Sequence, residues 1–306
     1  MAVINTGNHP KALWPGVAAW FGARYDQHAP EYPALFDVNT SSKAYEEDVE
    51  QTAFGLAPIK PEGAPTSYDQ HQQGFTKRYV NVAYSLGYIV THEELQDNLY
   101  SEVSMQRAGS LAFAMAQTRE NVGANVYNRA TNTSYGGGDT YPLLSASHAS
   151  ISANSAGTAL GNLLSTAAAL SESSLEDLCV QIMNSTNSRG LKISLRPQRL
   201  IISTANVFEA ERILKSDRQN DTANNAVNAL RSKGAVPEVA VCHYFTNANY
   251  WFLRTNAPAG MKWLDREAVS FKKDTDFDTD NAKAKAYMRF SCGWTDARGI
   301  FGSAAP

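Results

Sequence analysis

Four aspartates at alternate positions, Asp274, Asp276, Asp278 and Asp280, come nearest in this chain to a spacing with chemistry in it. Oxygen ligands at every second position open the loops that wrap a calcium ion. Such a loop also needs Gly at its sixth position and a bidentate Glu at its twelfth. Thr279 and Lys285 stand there instead, and Lys272 and Lys273 crowd the run, so it reads as an exposed acidic turn. His9, His28, His71, His92, His148 and His243 are isolated, with no HxH or HExxH spacing and no close carboxylate pairing, and each reads as a surface or packing residue. Glu46-Glu-Asp48 offers carboxylates for acid–base work, but a solvated strand face is the simpler role. Gly136-Gly-Gly138 lacks a strong preceding strand and a following Lys-Ser/Thr, so it reads as linker, and no GxSxG, Walker or GxGxxG motif occurs elsewhere. Cys179, Cys242 and Cys292 lie far apart within apolar stretches, the pattern of reduced packing residues in a protein made in a cytosol. These residues predict no catalytic constellation, no metal and no cofactor.

The elements that would carry functional residues are therefore the informative ones. The chain has 306 residues, 43% hydrophobic and 19% charged, enough for a large core or two subdomains. A net charge of −3 argues against bulk nucleic-acid binding through a basic face. No apolar run approaches the ~20 residues of a membrane span, and the N-terminus lacks signal-peptide features.

Residues 1–42 mix prolines with Trp14, Trp20, Phe21, Tyr25 and Phe36, which suits an arm that packs on its own body or on a neighbour, with a short helix over Gly16–Tyr25. A strand with Tyr45, Val49, Phe54 and Leu56 leads into a long tip, Ala57 to Gly74, broken by Pro58, Pro61 and Pro65. A second strand follows, Val80 to Val90, with one apolar face of period 2. Thr91-His-Glu-Glu94 is a capping-box pattern opening one long helix to about Ala130. Its stripe is Leu95, Leu99, Val103, Leu111, Met115, Thr118, Val122 and Val126. Residues 131–170 read as irregular connection with little core. Ser173-Ser-Leu-Glu176 caps a helix ending at Arg189-Gly190, and Leu200–Ile202 is a strand. Ala205–Leu214 is a helix with Val207, Phe208, Ala210, Glu211 and Leu214 as its stripe. A polar loop, Ser216 to Gly234, precedes strands Val236–Tyr244 and Tyr250–Arg254. Ala284 to Trp294 alternates strictly and pairs with Lys262–Lys273, so these two strands are expected to lie on the long helix.

This order of parts resembles the major capsid proteins of tailed bacteriophages over essentially the whole chain. The most family-like strings are Lys77-Arg-Tyr-Val-Asn-Val-Ala-Tyr-Ser-Leu-Gly-Tyr-Ile-Val-Thr-His-Glu-Glu-Leu95, which is similar to Mu-like major head subunits, and Lys285-Ala-Tyr-Met-Arg-Phe-Ser-Cys-Gly-Trp294. The resemblance implies an α+β tailed-phage major capsid fold in four parts. They are an N-terminal arm (1–42), an extended E-loop (43–90), a peripheral domain with a spine helix (91–160 and 260–306) and an axial domain (161–259). It implies a non-enzymatic subunit that assembles through hexamers and pentamers into an icosahedral head around double-stranded DNA, without sequence-specific binding or a membrane. Its partners would be itself, portal and scaffolding proteins, and decoration proteins. It would be assembled in the host bacterial cytoplasm and reside in the virion. The arm starts at Met1, so a scaffold is expected to be a separate protein. Expected inter-subunit contacts are Trp14, Trp20, Phe21, Lys60, Tyr68, Arg218, Arg231 and Lys233. Some family members cross-link through an E-loop lysine; Lys60 lies at this tip but reads as a solvated side chain. The shell of a bacterial nanocompartment (encapsulin-like) is the alternative, and a soluble enzyme stands third.

Overall fold

The computed structural model describes residues 10–91, 93–94, 100–150, 159–219, 226–276 and 280–304. Two four-stranded sheets and one two-stranded ribbon are arranged around a long helix. The elements are α1 (Pro10–Asp26), α2 (Tyr32–Leu35), β1 (Asp37–Thr40), β2 (Tyr45–Gln51), β3 (Gln73–Val80), β4 (Val82–Val90) and the spine helix α3 (Tyr100–Asn128). There follow α4 (Glu172–Met183), β5 (Pro197–Ser203), α5 (Val207–Lys215), α6 (Ala229–Lys233), β6 (Glu238–Cys242), β7 (Tyr250–Thr255), β8 (Met261–Thr275), β9 (Ala282–Trp294) and β10 (Ile300–Ala304).

The first sheet has the order β1-β8-β9-β4. On β9, Ala282, Ala284, Ala286, Met288 and Phe290 are buried while Lys283 and Lys285 face solvent, as their strict alternation demands. The buried face lies on the spine helix. Gly123 lets the two meet: a Cβ there would stand 3.3 Å from the rings of Phe36 and Trp263. Trp263 stacks on Phe290 at 4.5 Å, and the buried Arg119 guanidinium lies over Trp263 and Tyr32 while binding both oxygens of Asp265 at 2.6 Å. The second sheet, β10-β7-β5-β6, buries Leu200, Ile201, Ile202, Trp251, Phe252 and Phe301.

Several sequence expectations need correcting. The ribbon partner of β2 is β3, in the register Tyr45↔Val80, whereas the alternating strand β4 pairs with β9, Val82↔Phe290 through Val90↔Ala282. Asn81 makes the handover. Its buried amide donates to Ser41 Oγ and the Lys43 carbonyl and accepts from Ser291, which pins the chain where it leaves the ribbon for the sheet. At this sheet edge the expected apolar face of β4 stays half covered, with Val82 and Leu86 about half exposed. Phe54 and Leu56 lie beyond the end of β2.

The arm is more regular than its prolines suggest: α1 spans Pro10–Asp26 and buries Val17 and Phe21, and β1 adds parallel to β8. The Thr91 hydroxyl accepts from the Glu94 amide, but Leu95 and Leu99 lie outside the described residues, and so do the side chains of Trp14 and Val103. Helix α4 is capped by Ser171, which shares a reciprocal box with Ser174, and ends at Met183 well before Arg189. On α5 the buried residues are Ala210 and Ile213, while Phe208 faces solvent. Strand β5 separates β6 from β7, and β10 closes the second sheet rather than the first.

The segment read as coreless contributes Leu143, Leu144, Leu160, Leu164 and Leu170 to the core. Gly137, read as linker, is instead a packing residue: a Cβ on it would fall 2.1 Å from the Trp294 ring, so the loop can cross the indole face only with glycine there.

Candidate assembly surfaces

The ribbon β2–β3 stands on the body through polar contacts on one side. Lys262 donates to Asp48 Oδ2 at 2.5 Å, Thr295 donates to the same oxygen at 2.8 Å, and Tyr79 shares a 2.5 Å bond with Thr295. Lys77, its charge disfavoured by burial, donates to the Gly136 carbonyl at 3.0 Å. Burial also pushes the Glu50 carboxyl up, opposed by Arg298 at 3.7 Å. The other side of β2 exposes Tyr45, Glu47, Val49 and Gln51.

Beyond the ribbon, the tip presents apolar side chains to solvent: Leu56 is 80% exposed, Ile59 95% and Tyr68 94%, with Phe54 and Lys60 also exposed. Apolar residues this open on a segment with no core of its own mark an interaction surface. A second exposed apolar group is on β4, an edge strand of the first sheet, where Val82 and Leu86 on one face and Ile89 on the other are each about half exposed.

The other residues expected at contacts are spread over the molecule. Trp20 is partly exposed beneath the Arg24 guanidinium, 4.5 Å from its ring. Phe21 is not a surface residue: it is buried and stacks on Phe271 at 4.9 Å. Arg218 is exposed, and its backbone bridges to Val227 across the polar loop. Arg231 is engaged within its own chain, ion-paired to Asp217 and donating to the Lys215 carbonyl at 2.7 Å. Lys233 is exposed at the end of α6.

Two polar clusters escaped the sequence reading. His148 is buried, with Asp139 Oδ2 at 2.6 Å from Nδ1 and Asn162 Oδ1 at 3.1 Å from Nε2. Asn162 in turn donates to the carbonyls of Leu143, Ala297 and Ile300 and accepts from the Ser145 amide. An imidazole facing two acceptors inside a closed network holds chain segments together. In the second cluster Glu120, on the spine helix, accepts the Glu31 and Tyr32 amides at 3.0 Å each, and Glu31 accepts from the ring and amide of His243. Burial, with the Glu31 charge adding to it, pushes the Glu120 carboxyl up to about 6. Neither carboxylate pairing has a sequence signal, because the partners are unrelated in spacing. Burial raises the thiols of Cys179 to about 11 and of Cys242 and Cys292 to about 12, as befits inert packing residues.

In the acidic turn, Asp276 pairs with Lys283, and Asp278 lies outside the described residues. Among the described residues no cluster of His, Cys, Asp or Glu is placed to hold a metal, and no helix is long and apolar enough to cross a membrane.

Comparison with known proteins supplies the context. The family described as phage capsid protein matches residues 76–303. No protein of curated function matches the chain. Among solved structures, a virus-like particle from Pyrococcus furiosus shares the fold at TM-score 0.52 and 10% identity, covering 95% of this chain and 98% of that one. A chain of Mycobacterium phage Che8 matches at TM-score 0.52 and 13% identity, covering 90% and 91%. One of Mycobacterium phage Adephagia matches at 0.53 and 11%, covering 91% of each.

Proposed function

This chain belongs to the phage capsid protein family, and we propose that it assembles through hexamers and pentamers into an icosahedral head that encloses double-stranded DNA. In this reading residues 1–42 are the N-terminal arm, 43–90 the E-loop, 91–160 and 260–306 the peripheral domain, and 161–259 the axial domain. The protein would be made in the host bacterial cytoplasm and reside in the virion, with portal, scaffolding and decoration proteins as further partners. Its role is structural rather than enzymatic.

The observation that carries the reading is the ribbon tip. A segment whose Leu56, Ile59 and Tyr68 are almost wholly exposed gains nothing for its own subunit, but it can bury that area on another copy. Trp20, Lys60, Tyr68, Arg218 and Lys233 are proposed as inter-subunit contacts, and their exposure supports that reading. Closed rings use head-to-tail contacts, so separate surfaces on one chain are what such assembly requires. A nanocompartment shell is the second reading, favoured by the fold shared with the Pyrococcus furiosus virus-like particle.

Negative-stain microscopy of the purified protein tests both. Large closed heads support the first reading and small uniform cages the second. Dispersed particles at every concentration and salt condition would refute shell formation by this chain on its own.

A further inference from the structure

We propose that Arg189 is a positioning residue for assembly, setting the direction in which the ribbon tip leaves its own subunit by gripping Asp69 and the Gln70 carbonyl. The proposal rests on the shell reading above.

The last rungs of the ribbon are Thr52 N–H to the Gln72 carbonyl at 3.0 Å and Gln72 N–H to Thr52 Oγ1 at 2.8 Å. Past them the two limbs of the tip would be free to swing. Asp69 joins them again: its Oδ2 accepts the Gly55 amide at 2.7 Å and its Oδ1 the Gln70 amide at 2.8 Å. Arg189 then fixes this knot to the body. Nη1 lies 2.8 Å from Oδ2, and Nη2 donates to Oδ1 at 3.0 Å and to the Gln70 carbonyl at 2.8 Å. This is the planar two-pronged geometry that Arg alone offers. The Arg189 side chain is 14% exposed and that of Asp69 38%, so the grip is covered on the Arg side and open to solvent on the loop side.

The platform under Arg189 is itself held. Asn187 Oδ1 accepts the Arg189 and Leu191 amides at 2.9 and 3.0 Å, and the Asn187 amide donates to the Leu191 carbonyl at 2.8 Å. Next to it Ser188 Oγ accepts the Ala53 amide at 3.3 Å. Among the described residues, the hydrogen bonds that tie 53–72 to the body run through Ser188 and Arg189 alone. Leu56, Ile59 and Tyr68 are therefore presented from a fixed base. A tip aimed in advance loses less conformational entropy when it docks than one that must first be ordered.

Arg189→Gln in the full chain tests this. The circular dichroism of the unassembled subunit should be unchanged. Hydrogen exchange at Gly55 and Gln70 should speed up at least tenfold, and the rate of closed-shell formation by light scattering should fall at least tenfold. Arg189→Lys, which keeps charge but not the fork, should fall between. Asp69→Ala cuts the same grip from the exposed loop and should reproduce both changes, even if Arg189→Gln fails to fold. Unchanged exchange, or released exchange with assembly at the normal rate, overturns the proposal. Deleting Pro58–Ser67 separates the two layers. If the deletion blocks assembly while Arg189→Gln does not, only the positioning role falls. If the deletion also assembles normally, the tip is not a shell contact and the reading beneath it fails.

Discussion

Replacing Asn162 with Ala removes the hub of the network joining residues 143–148 to the end of the second sheet. The amide is fully buried and makes five side-chain contacts: to the carbonyls of Leu143 at 2.7 Å, Ala297 at 3.2 Å and Ile300 at 3.1 Å, from the Ser145 amide at 2.8 Å, and with His148 Nε2 at 3.1 Å. The Ala297 carbonyl also accepts the Ile300 amide, so it keeps a partner. The Ser145 amide and the Leu143 carbonyl have Asn162 as their partner and are left bare. A fully buried group stranded this way costs about 1–3 kcal/mol; the Leu143 carbonyl is fully buried and the Ser145 amide only partly, so together they cost about 3 kcal/mol. That is a large part of a domain stability of about 5–15 kcal/mol and, for a chain of 306 residues, should lower Tm by roughly 5 °C. Urea unfolding of the unassembled subunit, followed by circular dichroism, is the assay. The midpoint should fall with the slope unchanged. Asn162→Asp keeps the size but turns an oxygen toward three carbonyls, and it should destabilise at least as much. A loss under about 1 kcal/mol for both variants would show that the network holds nothing, and the argument from unsatisfied groups would fail.

Gly137→Ala should cost about 1–3 kcal/mol, because its Cβ would sit 2.1 Å from the buried Trp294 ring; an unchanged denaturation midpoint would mean the loop does not cross the indole. Glu120 has its folded value raised to about 6, so its stabilising contribution is whole below the ordinary carboxylate value near 4.5 and is lost as pH rises through 6. Tm should therefore fall between pH 5 and pH 7, by no more than about 1 kcal/mol equivalent after solvent screening, and Glu120→Gln should flatten that slope; an equal slope in the variant refutes the assignment. Arg218→Glu reverses an exposed charge on the polar loop without breaking an ion pair among the described residues, so it should leave the monomer Tm within about 1 °C while yielding open sheets, tubes or no shells. Normal closed heads from it would remove this loop from the contact set.

The sequence by itself determined the elements whose pattern is local. The alternation from Ala282 to Trp294 specified one strand and its buried face, because side chains on a strand switch sides at every residue. The run of stripe residues past Tyr100 specified a long helix, and the order of these parts sufficed for the family. Tertiary structure decided whatever depends on a partner distant in the chain. Val82–Val90 looks equally able to pair with β2 or with β9, and the choice comes from Asn81 locking onto Ser41 and Lys43. Gly137 carries no sign of Trp294, nor does His148 of Asp139 and Asn162 or Arg189 of Asp69, since no periodicity links them. The surfaces proposed for assembly divide the same way. Phe21 and Phe208 are both aromatic residues on helices, yet one fills the core and the other faces water, because burial depends on which elements happen to cover each helix face.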